Sequence, residues 1–377
     1  MKRLLVISRA FPPGVGGSHT VMGNLFRFID SKKYIVLRTG DESGKAKEFN
    51  YCGQEINWPP PLSFLRRIYP LDLFLIPIII YKLLKIKRKY GIEKCLIIYP
   101  DPFFATAGYI FARISKTKYF LYFHDTWTED EIKITDIVKR ILGGIFEKGM
   151  IKNSTVFFTL TQAMREFYQE KHKVDSIILP HGLNLNTLNK NPNFSSKESK
   201  TKIVYSGVIF ESEYAFKFIE AIKNREDIEF IITSPQSPDC LKKIGIEGDN
   251  IKVVFFEDKN EMIDLQRKAD ILYLAQSRDV GFDIRVKTGI PTKLFDYLLN
   301  LRPVLVHAPK EGCLYKFCQE NKLGYPLDSF KKDDILKAIK EIKEEKFKTD
   351  YEKISIFLKK YDRRKLAQKF ERIVKNY

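Results

Sequence analysis

Short apolar runs alternate with amphipathic stretches along this chain, and the alternation occurs twice. In the first half the runs RLLVIS, CLIIYP, KYFLYFH, TVFFTL and SIILP read as strands, and Phe103–Ile114, Ile132–Met150 and Gln162–His172 read as helices between them. In the second half the strands are KIVYSG, IEFIITS, IKVVFF, ILYLAQ and PVLVHA, with helices over Tyr214–Lys223, Glu261–Ala269 and Thr292–Asn300. Strands that are apolar almost without interruption fit parallel sheets covered on both faces. Strand and helix in alternation predict doubly wound α/β units.

The halves meet at NTLNKNPNFSSKESKT, residues 186–201, a polar stretch with no periodicity that reads as a linker. The expected architecture is two Rossmann-like doubly wound domains facing each other across a cleft, over residues 1–185 and 202–360. Residues 361–377 form an amphipathic helix with Leu366, Phe370 and Ile373 on one stripe.

Composition narrows the function. The chain has 377 residues, enough for two domains of ordinary size, with 44% hydrophobic and 30% charged residues, as in a globular protein. The net charge of +18 leaves two readings open: a lysine-rich composition, or an anionic partner such as nucleic acid, a membrane surface or a phosphorylated substrate. No nucleic-acid-binding motif stands out, and the aromatics lie mostly in core strands. The five cysteines, Cys52, Cys95, Cys240, Cys313 and Cys318, form no CxxC pair, which points to reduced thiols in a cytoplasmic protein and away from zinc. The apolar start of the chain is too short for a signal peptide, and the longest apolar run, Leu73 to Tyr81, is far short of the roughly 20 residues of a membrane span. Residues 62–95 nevertheless carry Arg66, Arg67, Lys82, Lys85, Lys87, Arg88, Lys89 and Lys94 against Asp72 and Glu93. The segment is either a buried helix with a solvated basic end or a surface for anionic lipid, which would make the protein peripheral on the inner face of a membrane.

Ligands of open α/β sheets bind beyond the carboxyl ends of the strands. The loop FPPGVGGSHT follows the first strand there; Gly14, Gly16 and Gly17 allow close backbone approach, and the next helix offers N–H groups to an anion. The spacing departs from G-x-G-x-x-G, and a plain turn is the competing reading.

That loop, FHDTW after a middle strand, PHG before the linker, YSG opening the second domain, ADILYLAQS and above all PTKLFDYLLNLRPVLV together resemble the GT-B glycosyltransferases, specifically the retaining family 4 type, over nearly the whole chain. The resemblance implies a nucleotide-diphosphate sugar donor held by the second domain, no cofactor or metal, a glycan or lipid-linked acceptor on the first domain, a role in cell-surface glycan or glycolipid synthesis, and a last helix that returns to the first domain. No D-x-D metal pattern is present. Pro291 opens a helix whose N-terminus, with Thr292, can face a diphosphate, and Asp296 can accept hydrogen bonds from ribose hydroxyls. Asp296 matches the second of two acids eight positions apart in the family; the first falls at Thr288, with Asp283 a possible substitute. The family's basic pair in the second domain's first loop, beside Ser206 and Gly207, is replaced by residues such as Val208, Ile209 and Glu213. Arg285, Lys287 and Lys293 are then the candidates for the positive charge that a leaving diphosphate needs. His124 and Asp125 fall where the family faces the transferred sugar, and a structural His–Asp pair is the alternative. Of the other histidines, His19 caps or lines the glycine loop, His172 reads as surface, His181 as a hinge residue, and His307 as either. With no carboxylate placed for a covalent intermediate, attack on the donor's front face is the expected course. Rival readings are a sugar-nucleotide epimerase or phosphorylase on the same fold, a silent nucleotide-sugar binder, and a basic nucleic-acid-binding protein.

Overall fold

The computed structural model describes residues 3–12, 16–39, 52–56, 71–127, 137–190, 200–207, 209, 212–234, 236–256, 259–276, 283–344 and 349–377. Gly14, Arg66, Arg67, Val208 and most of the expected linker, 191–199, lie outside them, as do the side chains of Cys52 and Asp283. The chain divides into two compact units, Met1–Gly182 with Tyr361–Tyr377, and Leu183–Lys360.

The first unit runs β1 (Leu4–Ile7), α1 (Gly17–Phe26), β2 (Tyr34–Thr39), β3 (Cys52–Ile56), α2 (Leu75–Tyr90), β4 (Lys94–Tyr99), α3 (Pro102–Ile114), β5 (Lys118–Phe123), α4 (Ile137–Lys152), β6 (Val156–Thr159), α5 (Gln162–His172) and β7 (Ile177–Ile178). Its seven strands lie in the order β3-β2-β1-β4-β5-β6-β7, every pair parallel. All residues of β1 and β6 are buried, as a sheet with two covered faces requires. One face packs on α2 to α5 through Leu75, Ile79, Leu83, Ile86, Phe103, Leu142 and Tyr168.

The second unit runs β8 (Thr201–Ser206), α6 (Glu213–Ile222), β9 (Ile228–Thr233), α7 (Pro238–Lys243), β10 (Ile251–Val254), α8 (Lys259–Arg267), β11 (Ile271–Ala275), α9 (Asp283–Thr288), α10 (Thr292–Leu299), β12 (Val304–His307), α11 (Cys313–Asn321), β13 (Tyr325–Leu327), α12 (Lys332–Lys343) and α13 (Tyr351–Leu358). Its sheet has the order β10-β9-β8-β11-β12-β13, again parallel throughout. The two sheets therefore share one topology. Each reverses direction beside its first strand, between β1 and β4 and between β8 and β11, and such switch points open a crevice at the carboxyl ends of the strands. The doubly wound α/β class expected from the alternation is the observed one.

The last helix, α14 (Arg363–Asn376), belongs to the first unit. It packs beside α1 and buries Leu366, Ala367, Phe370 and Val374 on the sheet face opposite α2 to α5. Asp362 caps its start by accepting from the Arg364 amide at 2.8 Å. At its other end Lys94 donates to the Val374 carbonyl at 2.9 Å and Lys118 to that of Tyr377 at 2.8 Å, placing cations on the negative end of the helix.

Candidate functional site

In the second unit the site residues gather where β8 ends. The Gly207 amide donates to the Thr233 carbonyl at the end of β9, 2.7 Å away. Gly207 has φ +112°, a conformation open mainly to glycine. The space beside it is filled by Lys293, which runs past so closely that a Cβ on Gly207 would stand 2.6 Å from Lys293 Cε and 2.7 Å from Nζ. Lys293 comes from the first turn of α10; its ammonium donates to the Tyr205 hydroxyl at 2.9 Å and lies 4.5 Å from that ring's centre. Loss of water pushes its pKa down to about 8.

The arrangement is held from beneath by a buried amide network. The Ser206 amide donates to the Tyr297 hydroxyl at 2.7 Å, and Ser206 Oγ accepts from Gln266 at 2.7 Å. Gln266 in turn accepts from Asn300 Nδ2 at 2.7 Å. Ser206, placed in the binding group by sequence, is thus buried and serves to join β8, α8 and α10. Pro291 stands at the cap position, one residue before the first helical turn, and no side chain caps α10. Its first amides, those of Thr292 and Lys293, therefore start at the lysine that crosses Gly207. Asp296, half-buried, sits one turn further along the face that carries Thr292 and Lys293.

Of the other basic candidates, Arg285 is half-buried and Lys287 exposed on the short helix α9. Thr288 closes that helix, 4% exposed, and its hydroxyl donates to the Ile284 carbonyl at 2.7 Å. His307 bonds Tyr273 through Nδ1 at 2.9 Å and the Ser329 carbonyl through Nε2 at 2.7 Å, which makes it a scaffold residue. Burial pushes its pKa down to about 4.

In the first unit the carboxyl ends of the strands carry a second set of polar groups. Gly16, with φ +136°, precedes α1, and Gly17 is its first residue; both are exposed. The Gly16 carbonyl accepts from the amide and the hydroxyl of Thr20, each at 3.0 Å, so these glycines shape a helix start. His124 follows β5 and is 5% exposed, its ring edge-on to Tyr122 at 4.3 Å. Neither ring nitrogen has a hydrogen-bond partner, so no His124–Asp125 pair forms; Asp125 is half-buried. Burial, with His181 and then His19 adding repulsion, pushes the His124 pKa down to about 3, and the imidazole is neutral. Ser8, after β1, is likewise buried with its hydroxyl unpartnered.

Sequence reading missed Arg9 and Asp101, which join the ends of β1 and β4 by a 3.1 Å ion pair while Asp101 caps α3. Asp-Pro at a helix start was the available signal. His172 is a correction: it is buried, and its Nε2 meets Glu147 at 2.7 Å, a carboxylate that also takes Lys171. No cluster of His, Cys, Asp or Glu able to hold a metal occurs among the described residues.

Comparison of the sequence with protein-family models and with curated proteins finds no match. Solved structures share the fold. HepE from Anabaena, solved with UDP, superposes with a TM-score of 0.72 at 13% identity, covering 100% of both chains. Sucrose-phosphate synthase from Thermosynechococcus elongatus gives 0.74 at 12% identity, over 100% of this chain and 99% of that one. A UDP-GlcNAc 2-epimerase from Neisseria meningitidis, bound to UDP-GlcNAc, gives 0.59 at 13% identity over 100% of both. The fold is that of the GT-B enzymes.

Proposed function

We propose that this protein moves a sugar from a nucleotide-diphosphate sugar to an acceptor hydroxyl, with retention at the anomeric carbon and without a metal. The observation that supports the reading most is the crossing of Lys293 over Gly207 at the switch point of the second sheet. A cation, a side-chain-free backbone turn and an uncapped helix start meet there, the three elements that a diphosphate needs. HepE holds UDP on the same fold.

In this reading the α10 amides and Lys293 take the diphosphate, and Asp296 takes the ribose hydroxyls. Arg285 and Lys287 supply further positive charge as the leaving group departs. Thr288 contributes no charge to the sugar. The acceptor oxygen approaches the anomeric carbon from the side the diphosphate leaves, and a departing phosphate oxygen receives its proton. Neutral His124 offers one N–H and one lone pair to a hydroxyl-bearing ligand, with Asp125 beside it. Epimerisation is the second reading, supported by the epimerase on the same fold, though its superposition is poorer than those of HepE and sucrose-phosphate synthase.

Thermal-shift measurement with UDP, GDP, ADP, CMP and TDP and their sugars tests the site, since a ligand of the folded state raises the melting temperature by mass action. At least one nucleoside diphosphate is expected to raise it; no shift from any at millimolar concentration overturns the reading. Proton NMR of the product then separates transfer with retention from epimerisation.

A further inference from the structure

Large apolar side chains are distributed unevenly over the exposed surface. Ten are exposed among the described residues, and seven of them, Leu73, Phe74, Ile78, Tyr81, Ile114, Ile141 and Ile145, belong to α2, α3, α4 or the turn that leads into α2. This is one helical layer of one unit. The core side of α2 is satisfied by Leu75, Ile79, Leu83 and Ile86 at helical spacing. Phe74, Ile78 and Tyr81 form a second stripe, at i, i+4 and i+7, that faces away from the core; Phe74 is 67% exposed.

The same outer face then changes character. Past Tyr81 it continues as Lys85, Arg88 and Lys89, all exposed. The Lys85 ammonium lies over the Tyr81 ring, 4.6 Å from its centre. Helix α4 repeats the pattern: Ile141 and Ile145 are exposed at i and i+4, and Lys148 and Lys152 follow on the same face. Helices that connect parallel strands run against them, so α2 and α4, on one face of the sheet, point the same way. The exposed apolar residues of both helices therefore stand toward one edge of the layer, and Lys85, Arg88, Lys89, Lys148 and Lys152 toward the other; α4 also carries Lys139 and Arg140 in its first turn, beside Ile141.

Charge on α2, α3 and α4 is one-sided, whereas α5, the fourth helix of the layer, carries Glu166 and Glu170 beside Arg165 and Lys171. Five basic residues lie on α2, one on α3 and four on α4. The one acid in these three helices, Glu147, is buried and held by Lys171 and His172. Seven of the ten cations, Lys85, Arg88, Lys89, Arg113, Arg140, Lys148 and Lys152, are exposed, with no exposed acid on the same three helices, which is the charge an anionic surface attracts.

We propose that α2 and α4 form a docking surface for an anionic lipid bilayer. The apolar ends enter the boundary between headgroups and acyl chains, and the basic ends lie on the headgroups. The proposed contact lies in the plane of the surface; no described helix is long and apolar enough to cross a membrane. The apolar ends stand at the carboxyl edge of the first sheet, the edge that carries Ser8 and His124. The inference does not depend on the nucleotide site: a UDP thermal shift measured on the same protein reports on that site alone.

The test is co-sedimentation of the full chain with vesicles of phosphatidylcholine alone and of phosphatidylcholine with about 30% phosphatidylglycerol. Binding to the anionic vesicles only, or far more strongly to them, is expected. Lys85→Glu/Arg88→Glu/Lys89→Glu should lower partitioning on the order of 100-fold. Phe74→Ser/Ile78→Ser should lower it at least about 10-fold at unchanged net charge. All five positions are exposed, and circular dichroism with the melting temperature checks folding; Ile141→Ser/Ile145→Ser is the second variant should the first not fold. Equal partitioning into both vesicles, none into either, or partitioning that none of these substitutions changes overturns the proposal. So does sedimentation that shows a dimer which Phe74→Ser/Ile78→Ser dissolves, since the apolar stripe then belongs to a second copy of the chain.

Discussion

Lys293 occupies the volume that a side chain on Gly207 would take. A methyl group at Gly207 would meet Lys293 Cε at 2.6 Å and Nζ at 2.7 Å, and φ there is +112°. Gly207→Ala should displace the ammonium from above the Tyr205 ring, and the backbone strain should lower stability by about 1–3 kcal/mol. Lys293→Met removes the cation and leaves the turn intact. Each variant should weaken UDP, the methionine variant by about 10- to 150-fold, as expected for a hydrogen bond to a charged group. Calorimetric titration measures it.

The pH dependence of binding follows from the same lysine. With its pKa pushed down to about 8, Lys293 is charged at neutral pH and loses its proton as pH rises through 8. Only the charged form attracts a diphosphate, so UDP affinity should fall above about pH 8, by no more than about tenfold per unit. Lys293→Arg stays charged and should flatten the profile. A wild-type affinity that is constant from about pH 7 to 9.5 would separate Lys293 from the phosphate.

Asp296→Ala should weaken UDP by about 10- to 150-fold and leave the affinity for a free base unchanged. Asp296→Asn keeps one carbonyl acceptor and should lose less. The helix tolerates alanine, so the melting temperature is the folding control.

Acid should destabilise the protein through two buried imidazoles. His124 and His307 have pKa values pushed down to about 3 and about 4. The folded state holds both neutral, so below about pH 6.5 the unfolded chain binds more protons, and stability falls as pH falls toward those values. Each should cost about 2 kcal/mol between pH 6.5 and pH 5. Urea unfolding at several pH values measures the slope, and His124→Phe, which keeps a ring against Tyr122, should remove about half of it.

Phe370 is buried, its ring centre 5.9 Å from that of Phe26 and 5.8 Å from that of Phe158. Phe370→Ala should destabilise the first unit by about 3–5 kcal/mol. Differential scanning calorimetry is the check, with the loss expected in the transition that carries that unit.

The central strands were legible because burial on both faces leaves only apolar residues in them, as in LIIY of β4. Of the four edge strands, β7 and β10 were legible as SIILP and IKVVFF, whereas β3 and β13, with β2 beside β3, were not. In β3, CGQEI has one strongly apolar residue, and YPL of β13 contains a proline that only an edge accepts. The site divides in the same way. Asp296 and Lys293 stand in one stretch of sequence and could be picked out as candidates together. Nothing local ranks Lys293 above Arg285 or Lys287, because its distinguishing contact is with Tyr205, 88 positions earlier. Gln266 and Asn300 look like surface amides until the fold brings them under Ser206. His172 looks like a surface residue at a helix end, and only the arrival of α4 supplies its Glu147.

The return of α14 to the first unit has a consequence for biosynthesis. The strands of that unit are complete once β7 has been made, yet the groove beside α1 has no cover until α14 emerges. At about 5–20 residues per second, the intervening unit takes roughly 10–40 seconds to translate. For that interval Val21, Leu25 and Phe26 lie open on a nearly finished sheet, next to a ribosome that is still building the second unit. The segment most exposed to a chaperone during synthesis is thus the seat of α14, and the emergence of α14 is the event that closes it.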